Sequence, residues 1–169
     1  PAVPNSMRAV RDRYLAAVPR LQQWFATPPI TFVHADYRLD NVLFGTAPEH
    51  APVVTLDWQG VLRSKGAQDV AFLLSQSMPP ELRVANEAAL VERWQRGLAG
   101  AGVTGYSAEQ AWTDYRIAVL ALWIYVVVIA GALDPSNERG RAFMTTMIER
   151  AASAIHDLDA LSLLPDFEG

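Results

Sequence analysis

Near the start of the chain, apolar residues recur every three or four positions. They are Met7, Val10, Tyr14, Leu15 and Val18. This spacing predicts a first helix over about residues 6–17. Pro19 is expected to disturb the pattern beyond it, because proline lacks the N–H group that a helix interior uses.

Three short runs of β-branched and aromatic residues follow, at positions 30–33, 42–44 and 53–56. Such runs favour strands. The second and third are separated by a segment rich in glycine and proline, at 45–52, which is typical of a turn. These two runs therefore predict an antiparallel β-hairpin.

Beyond Gly66 the pattern is helical to the end of the chain, interrupted only where glycine and proline collect. The predicted helices cover about residues 67–77, 81–99, 108–133 and 136–162. Ser107 and Gln110 have the spacing of a capping box at the start of the third. We therefore expect one α+β domain over residues 1–169, mostly α, with a small antiparallel hairpin.

The third of these helices contains an uncharged stretch over residues 117–133, at the short limit for crossing a bilayer. No basic cluster flanks it to orient insertion, and the neighbouring helices are amphipathic. A buried central helix is the favoured interpretation, with a membrane span as the alternative.

The composition narrows the function classes. The chain has 169 residues, 51% of them hydrophobic, a net charge of -4 and no cysteine. Without a basic surface it is not expected to bind nucleic acid, and without cysteine it has neither disulfides nor thiolate metal ligands. These features suit a cytoplasmic protein with a small-molecule partner and no membrane contact. The arginine-dominated basic residues, with Lys65 as the sole lysine, hint at a bacterial source.

The chemistry is concentrated in the segment that follows the first predicted strand. His34, Asp36 and Asn41 form an H-x-D-x-x-x-x-N pattern, and Asp57 follows the hairpin. Phosphoryl transfer requires an acceptor for the hydroxyl proton of the substrate and hard oxygen ligands for magnesium. One Asp, one Asn and a second Asp supply these groups. Individually each could equally be a turn or capping residue.

Three elements in the right order resemble one known group. HADYRLDN is similar to the catalytic loop of the aminoglycoside phosphotransferase and choline kinase group, LDWQG to its metal-binding element, and GAQDVAFL to its G-x-x-x-D-L-A segment. The resemblance covers about residues 31–74. It implies the helical C-terminal catalytic lobe of the protein-kinase-like fold, with ATP or another nucleoside triphosphate and Mg²⁺ as cofactors.

The resemblance also implies a role for each matching residue. Asp36 would orient the acceptor hydroxyl and take its proton, with Arg38 stabilising phosphate charge beside it. A surface or structural ion pair is an equal alternative for Arg38. Asn41 and Asp57 would hold the metal.

Two further residues of the cofactor-binding region would support the catalytic loop. His34 would brace it, and Asp69 would accept hydrogen bonds from its backbone. Ala35 replaces the usual glycine of the motif, a mild change unless that position needs a left-handed backbone.

Neither a glycine-rich phosphate loop nor a strand lysine precedes His34. We therefore expect the N-terminal ATP-binding lobe to be a partner missing from this chain. The expected function is a small-molecule kinase represented by its catalytic lobe, inactive alone; the alternative is a free-standing, non-catalytic lobe that serves as an interaction module. The apolar third of these helices, predicted over about residues 108–133, favours a less charged alcohol or hydroxy acid over an aminoglycoside. Homodimerisation stays open.

Overall fold

The computed structural model describes residues 3–132 and 137–167, which are mostly helical, as expected. The helices are α1 (Asn5–Ala9), α2 (Arg11–Phe25), α3 (Ala67–Ser77), α4 (Pro80–Gly100), α5 (Ala108–Ala132) and α6 (Glu138–Asp157). The Ser107 hydroxyl accepts a hydrogen bond from the Gln110 N–H, at 3.1 Å, so half of the predicted capping box is present at the start of α5.

The prediction of one early helix that stops near Pro19 is wrong. The chain forms two helices, and α2 continues through Pro19 to Phe25. Pro19 is exposed, whereas Tyr14, Ala17, Leu21 and Phe25 are buried along one face of α2. Burial of that face outweighs the single backbone hydrogen bond that proline removes.

Four three-residue strands form two antiparallel pairs. Strands β2 (Val42–Phe44) and β3 (Val53–Thr55) make the predicted hairpin, with Leu43 opposite Val54. Strand β1 (Thr31–Val33) pairs with β4 (Leu62–Ser64), with Phe32 opposite Arg63. The second pair was not predicted. This pairing brings together the two ends of the segment between residues 34 and 61.

Helix α5 lies at the centre of the helical layer. It contacts α2, α3, α4, α6 and the 3₁₀ segment Ala160–Phe167. The Tyr14 hydroxyl of α2 donates to the Leu120 carbonyl (3.1 Å) and accepts from the Ile124 N–H (3.0 Å), so α2 is bonded to the α5 backbone. By length and composition alone α5 could cross a membrane, a test that core helices also pass. Residue 133 of the predicted stretch lies outside the described residues.

The last predicted helix is shorter than expected. Helix α6 ends at Asp157, and the chain then turns through Asp159, which has a φ of +46°, into the 3₁₀ segment Ala160–Phe167. Residue 136, the predicted start, lies outside the described residues. Ala160 and Leu164 are buried, so this segment packs against α2, α5 and α6 instead of extending α6.

A buried polar network joins α4, α5 and α6. The Arg83 guanidinium, 1% exposed, donates to Glu87 (2.7 Å) and forms a short contact with Asp157. The Tyr115 hydroxyl donates to the same Glu87 carboxylate at 2.8 Å. From the sequence, the segment HDLD at 156–159 is expected to be a solvated helix face. His156, Asp157 and Asp159 are exposed, as expected, but the Asp157 carboxylate also pairs with Arg83 and accepts from Ser153 (2.8 Å).

Candidate active site

The residues that carry the predicted chemistry lie on the loop from His34 to Asn41, between β1 and β2. Asp69, in the first turn of α3, fixes the start of this loop. Its two carboxylate oxygens accept the backbone N–H groups of His34 (2.7 Å) and Ala35 (2.9 Å). Burial raises the pKa of Asp69, and the hydrogen bonds from His34 and Ala35 oppose that rise. The contact that the resemblance implies for Asp69 is therefore present, and its importance for activity stays a prediction.

His34 is buried beneath the loop, with 1% of its surface exposed. Its Nε2 lies 2.6 Å from the Leu56 carbonyl, and its Nδ1 accepts from the Asp36 N–H at 3.3 Å. An accepting Nδ1 places the proton on Nε2, which then donates to Leu56. His34 thus links the residue before Asp57 to the backbone of Asp36, as a brace would.

Ala35 has a φ of +67°, in the left-handed region. A side chain in that region costs about 1–2 kcal/mol, which glycine avoids. The substitution of Ala35 for the glycine of the motif is therefore strained. The bonds from Asp69 and His34 to its neighbours hold the backbone there despite that strain.

The Asp36 side chain is partly exposed and oriented from one side. The Asn41 amide nitrogen donates to its carboxylate (3.1 Å) and to its backbone carbonyl (2.9 Å). Arg38 Nε lies 3.2 Å from the other carboxylate oxygen, close enough for attraction but without the alignment of a hydrogen bond. The carboxylate keeps an open face toward solvent, with 42% of the side chain exposed. A hydroxyl group could reach it there.

Asp57 is brought to the loop by the residue before it. The Leu56 N–H donates to the Asn41 carbonyl (2.8 Å), and the Leu56 carbonyl faces His34 Nε2. Leu56 is thus held at both its backbone groups. Asp57 itself is exposed, has a φ of +61°, and does not use its side chain to cap the 3₁₀ turn Trp58–Gly60 that follows.

The donor set fits magnesium. The Asn41 nitrogen donates to Asp36, which leaves its amide oxygen as a hard oxygen donor that a metal could use, and the Asp57 carboxylate offers a second such donor. Within residues 3–132 and 137–167 there is no cluster of three or more His, Asp or Glu side chains that could hold a metal. Two protein ligands suffice where nucleotide phosphates and water complete the shell.

Several contacts of the site had no sequence signal. The Ser77 hydroxyl, at the end of α3, accepts the Leu39 N–H at 3.0 Å. The rings of Tyr37 and Trp58 flank His34, with centroids 5.8 Å and 4.9 Å from it. Tyr37 and Trp58 lie inside the recognised motifs but at their variable positions, so their roles follow only from the folded loop.

Together, a helical layer, a short hairpin and an H-x-D-x-x-x-x-N loop anchored by a helix aspartate define the catalytic lobe of a kinase-like protein. The model of the ecdysteroid kinase-like family matches residues 2–101, and the chain belongs to that family. It is a family of kinase-like small-molecule phosphotransferases within the choline kinase-like superfamily. No curated protein and no solved structure matches the chain.

The family corrects the resemblance at its finer level. The choline kinase-like, protein-kinase-like assignment is confirmed, but the family shown is not that of the aminoglycoside phosphotransferases. The match ends near the last residue of α4, so the helices beyond it are described by the structure alone.

Proposed function

We propose that this chain carries the catalytic half of an ATP- and magnesium-dependent phosphotransferase that phosphorylates a hydroxyl group of a small molecule. The observation that carries the proposal is the Asp36 carboxylate, oriented by Asn41 on a loop that Asp69 and His34 fix to the helical layer. A fixed carboxylate with one open face is what proton acceptance from a bound hydroxyl requires.

The residues divide the reaction between them. Asp36 accepts the hydroxyl proton while the hydroxyl oxygen bonds to the γ-phosphorus and the bond from that phosphorus to the leaving ADP oxygen breaks. Arg38, 3.2 Å from Asp36, is placed to compensate charge on the transferred group. Asn41 and Asp57 would hold magnesium, which supplies charge neutralisation on the phosphates.

The hairpin offers a surface for the other half of the site. Leu43, Phe44, Val53 and Val54 are each at least 41% exposed, an unusual density of apolar side chains on so short a hairpin. We place the nucleotide base and the N-terminal lobe of the kinase-like fold on this surface. The hairpin adjoins Asn41 directly, so a nucleotide lying on it has its phosphates near the proposed metal ligands.

For α5 we propose a core role and no membrane contact. Its middle residues, from Ile117 to Trp123, are all buried in the protein, and Tyr14 bonds to its backbone. A cytoplasmic location is part of the same proposal, in keeping with the absence of cysteine.

The test is a phosphate-transfer assay on the gene product that contains this chain, with Mg²⁺-ATP and a panel of alcohols, hydroxy acids and aminoglycosides. We expect transfer to a hydroxyl compound that requires a divalent cation, and its loss in Asp57→Asn. Absence of transfer to every acceptor, together with unchanged binding of a protein partner by Asp36→Asn, would instead support the interaction module.

A further inference from the structure

A small pocket of about 130 Å³ lies beside Asp36, between the His34–Asn41 loop and α6. We call it the α6 pocket. It is lined by Arg38, Asp40, Gln76, Phe143, Thr146, Met147 and Arg150. The Arg38 guanidinium, whose Nε is 3.2 Å from Asp36, lies 5.2 Å from the centre of the Phe143 ring, so the pocket adjoins the proposed catalytic carboxylate.

Two polar atoms of this pocket are buried without a hydrogen-bond partner. They are Arg38 Nε and Gln76 Oε1, and no other buried side-chain nitrogen or oxygen in the described part of the chain lacks one. Such atoms destabilise a folded protein when they are left without a partner. Both side chains line the same pocket, where Arg38 Nε has only its 3.2 Å ion-pair contact with Asp36 and Gln76 Oε1 can be met by a rotation of its carboxamide, so the pocket can take a polar ligand.

The pocket presents donors to that ligand. Arg150 Nη1 donates to the Gln76 backbone carbonyl at 2.6 Å, which fixes the guanidinium and leaves its remaining N–H groups for other acceptors. Gln76 Nε2 lies 3.5 Å from the Ser75 hydroxyl, a group that can donate as well as accept. Rotation of the carboxamide by 180° would let Ser75 donate to Oε1 and turn the NH₂ group inward.

The two arginines of the pocket can pair with an anion, although two aspartates balance their charge. Arg38 and Arg150 contribute two positive charges, and Asp40, 3.7 Å from Arg38 Nη1, contributes one negative charge from a side chain that is 77% exposed. Asp36 adds a second negative charge at its edge. Guanidinium groups bind carboxylates through paired, charge-assisted hydrogen bonds, and a cationic acceptor would meet two arginines here.

We infer that the α6 pocket binds a carboxylate of the acceptor, and that the substrate is a small hydroxy acid whose hydroxyl group lies at Asp36. This inference rests on the proposed function. The pocket, at about 130 Å³, has room for a carboxylate and its neighbouring carbon. Arg150 and Gln76 are then specificity-determining residues that take no part in the chemical step.

The test is a titration of the 169-residue chain with glycerate, followed by NMR, with glycerol as the uncharged probe of matched size. We expect glycerate to bind saturably and glycerol not to. Arg150→Met should weaken glycerate binding about tenfold or more, as the loss of a charge-assisted hydrogen bond predicts. Arg150→Lys should keep part of the affinity, and Arg96→Met, at an exposed arginine of α4, all of it.

If Arg150→Met does not fold, Gln76→Met is the deciding variant. It removes only the carboxamide, because Arg150 bonds to the backbone carbonyl of Gln76. Equal binding of glycerate and glycerol, no binding of either, or wild-type affinity in the variant that folds would overturn the inference. Tighter binding of inorganic phosphate than of glycerate, with the same dependence on Arg150, would also overturn the inference. The pocket would then hold the transferred phosphate.

Failure of the inference and failure of the proposed function are separable. Glycerate binding needs neither ATP nor the chemical step. A gene product that phosphorylates a neutral alcohol while the chain ignores glycerate keeps the function and loses the hydroxy-acid assignment. Glycerate binding without transfer to any acceptor keeps the carboxylate site and contradicts the proposed function.

Discussion

Ala35 occupies a left-handed backbone position one residue before the proposed proton acceptor. Replacement by glycine removes a strain of about 1–2 kcal/mol but gives the unfolded chain more freedom, which offsets about half of the gain. We expect Ala35→Gly to raise the free energy of unfolding by up to about 1 kcal/mol, measured by urea denaturation.

The matched control is Ala89→Gly, in the exposed interior of α4. There glycine should lower the free energy of unfolding by about 1 kcal/mol. An equal decrease in the free energy of unfolding in both variants would show that Ala35 is not strained.

Asp69→Asn and Asp57→Asn form a second comparison, because the first should lower the stability of the protein and the second should not. Asp69→Asn replaces one of two acceptors by an NH₂ group that faces a backbone N–H, so it should cost about 1–3 kcal/mol of stability. Asp57→Asn, at an exposed residue that asparagine suits, should leave stability within about 0.5 kcal/mol. Thermal unfolding of both proteins measures this. A stable Asp69→Asn variant would contradict the role given to Asp69.

The proximity of the motif residues was predictable from the sequence because their spacing resembles that of a kinase catalytic loop. His34, Asp36, Asn41 and Asp69 lie in one site, as expected. The pairing of Asp157 with Arg83 was not predicted because Arg83 is 74 positions away in the chain, and no local pattern reports such a pairing. The strain at Ala35 became visible only with its backbone angles.

At the scale of elements, the network around Arg83 holds three helices together. Arg83→Met would leave the buried Glu87 carboxylate without its cation, which should cost about 3–5 kcal/mol. Adding Glu87→Gln should recover part of that loss. The exposed pair Arg96–Glu92 has the same spacing, and Arg96→Met should cost no more than about 0.5 kcal/mol. Similar losses at the two sites, measured by urea denaturation, would refute the role of the network.

The same network predicts how stability changes with pH. Burial alone would raise the pKa of Asp157, but hydrogen bonds from Ser153 and Arg83 and the Arg83 charge outweigh burial and lower it. A lowered pKa in the folded state stabilises the protein above the unfolded pKa of about 4, and this stabilisation disappears as the pH falls through the folded value. Thermal melts from pH 6 to pH 2 should fall less steeply for Asp157→Asn than for the wild type. Parallel curves would be inconsistent with this pairing.

Helix positions after residue 66 were predictable because glycine and proline mark their ends. The pairing of β1 with β4 was not, because 28 residues separate these two three-residue strands and no single turn joins them. The passage of α2 through Pro19 also depends on tertiary burial, which outweighs local propensity there.

At the scale of the whole molecule, the helical layer serves as a fixed platform for one short segment. Helix α3 packs on α5 and supplies Asp69 and Ser77 to the loop, while α6 approaches the same loop through Phe143. The surface above the loop, formed by the hairpin and Asp57, is exposed. We attribute that exposure to contact with the proposed nucleotide lobe. The composition of the chain alone could not have located this surface.

The most direct test of the central claim is phosphate transfer by the gene product carrying Asp36→Asn, with its best acceptor and Mg²⁺-ATP at saturation. Loss of the proton acceptor should lower kcat by about 10²–10⁴-fold while the melting temperature stays near that of the wild type. Asp12→Asn, at an exposed aspartate of α2 far along the chain from the loop, should retain kcat. Wild-type kcat in Asp36→Asn would contradict the assignment of this site.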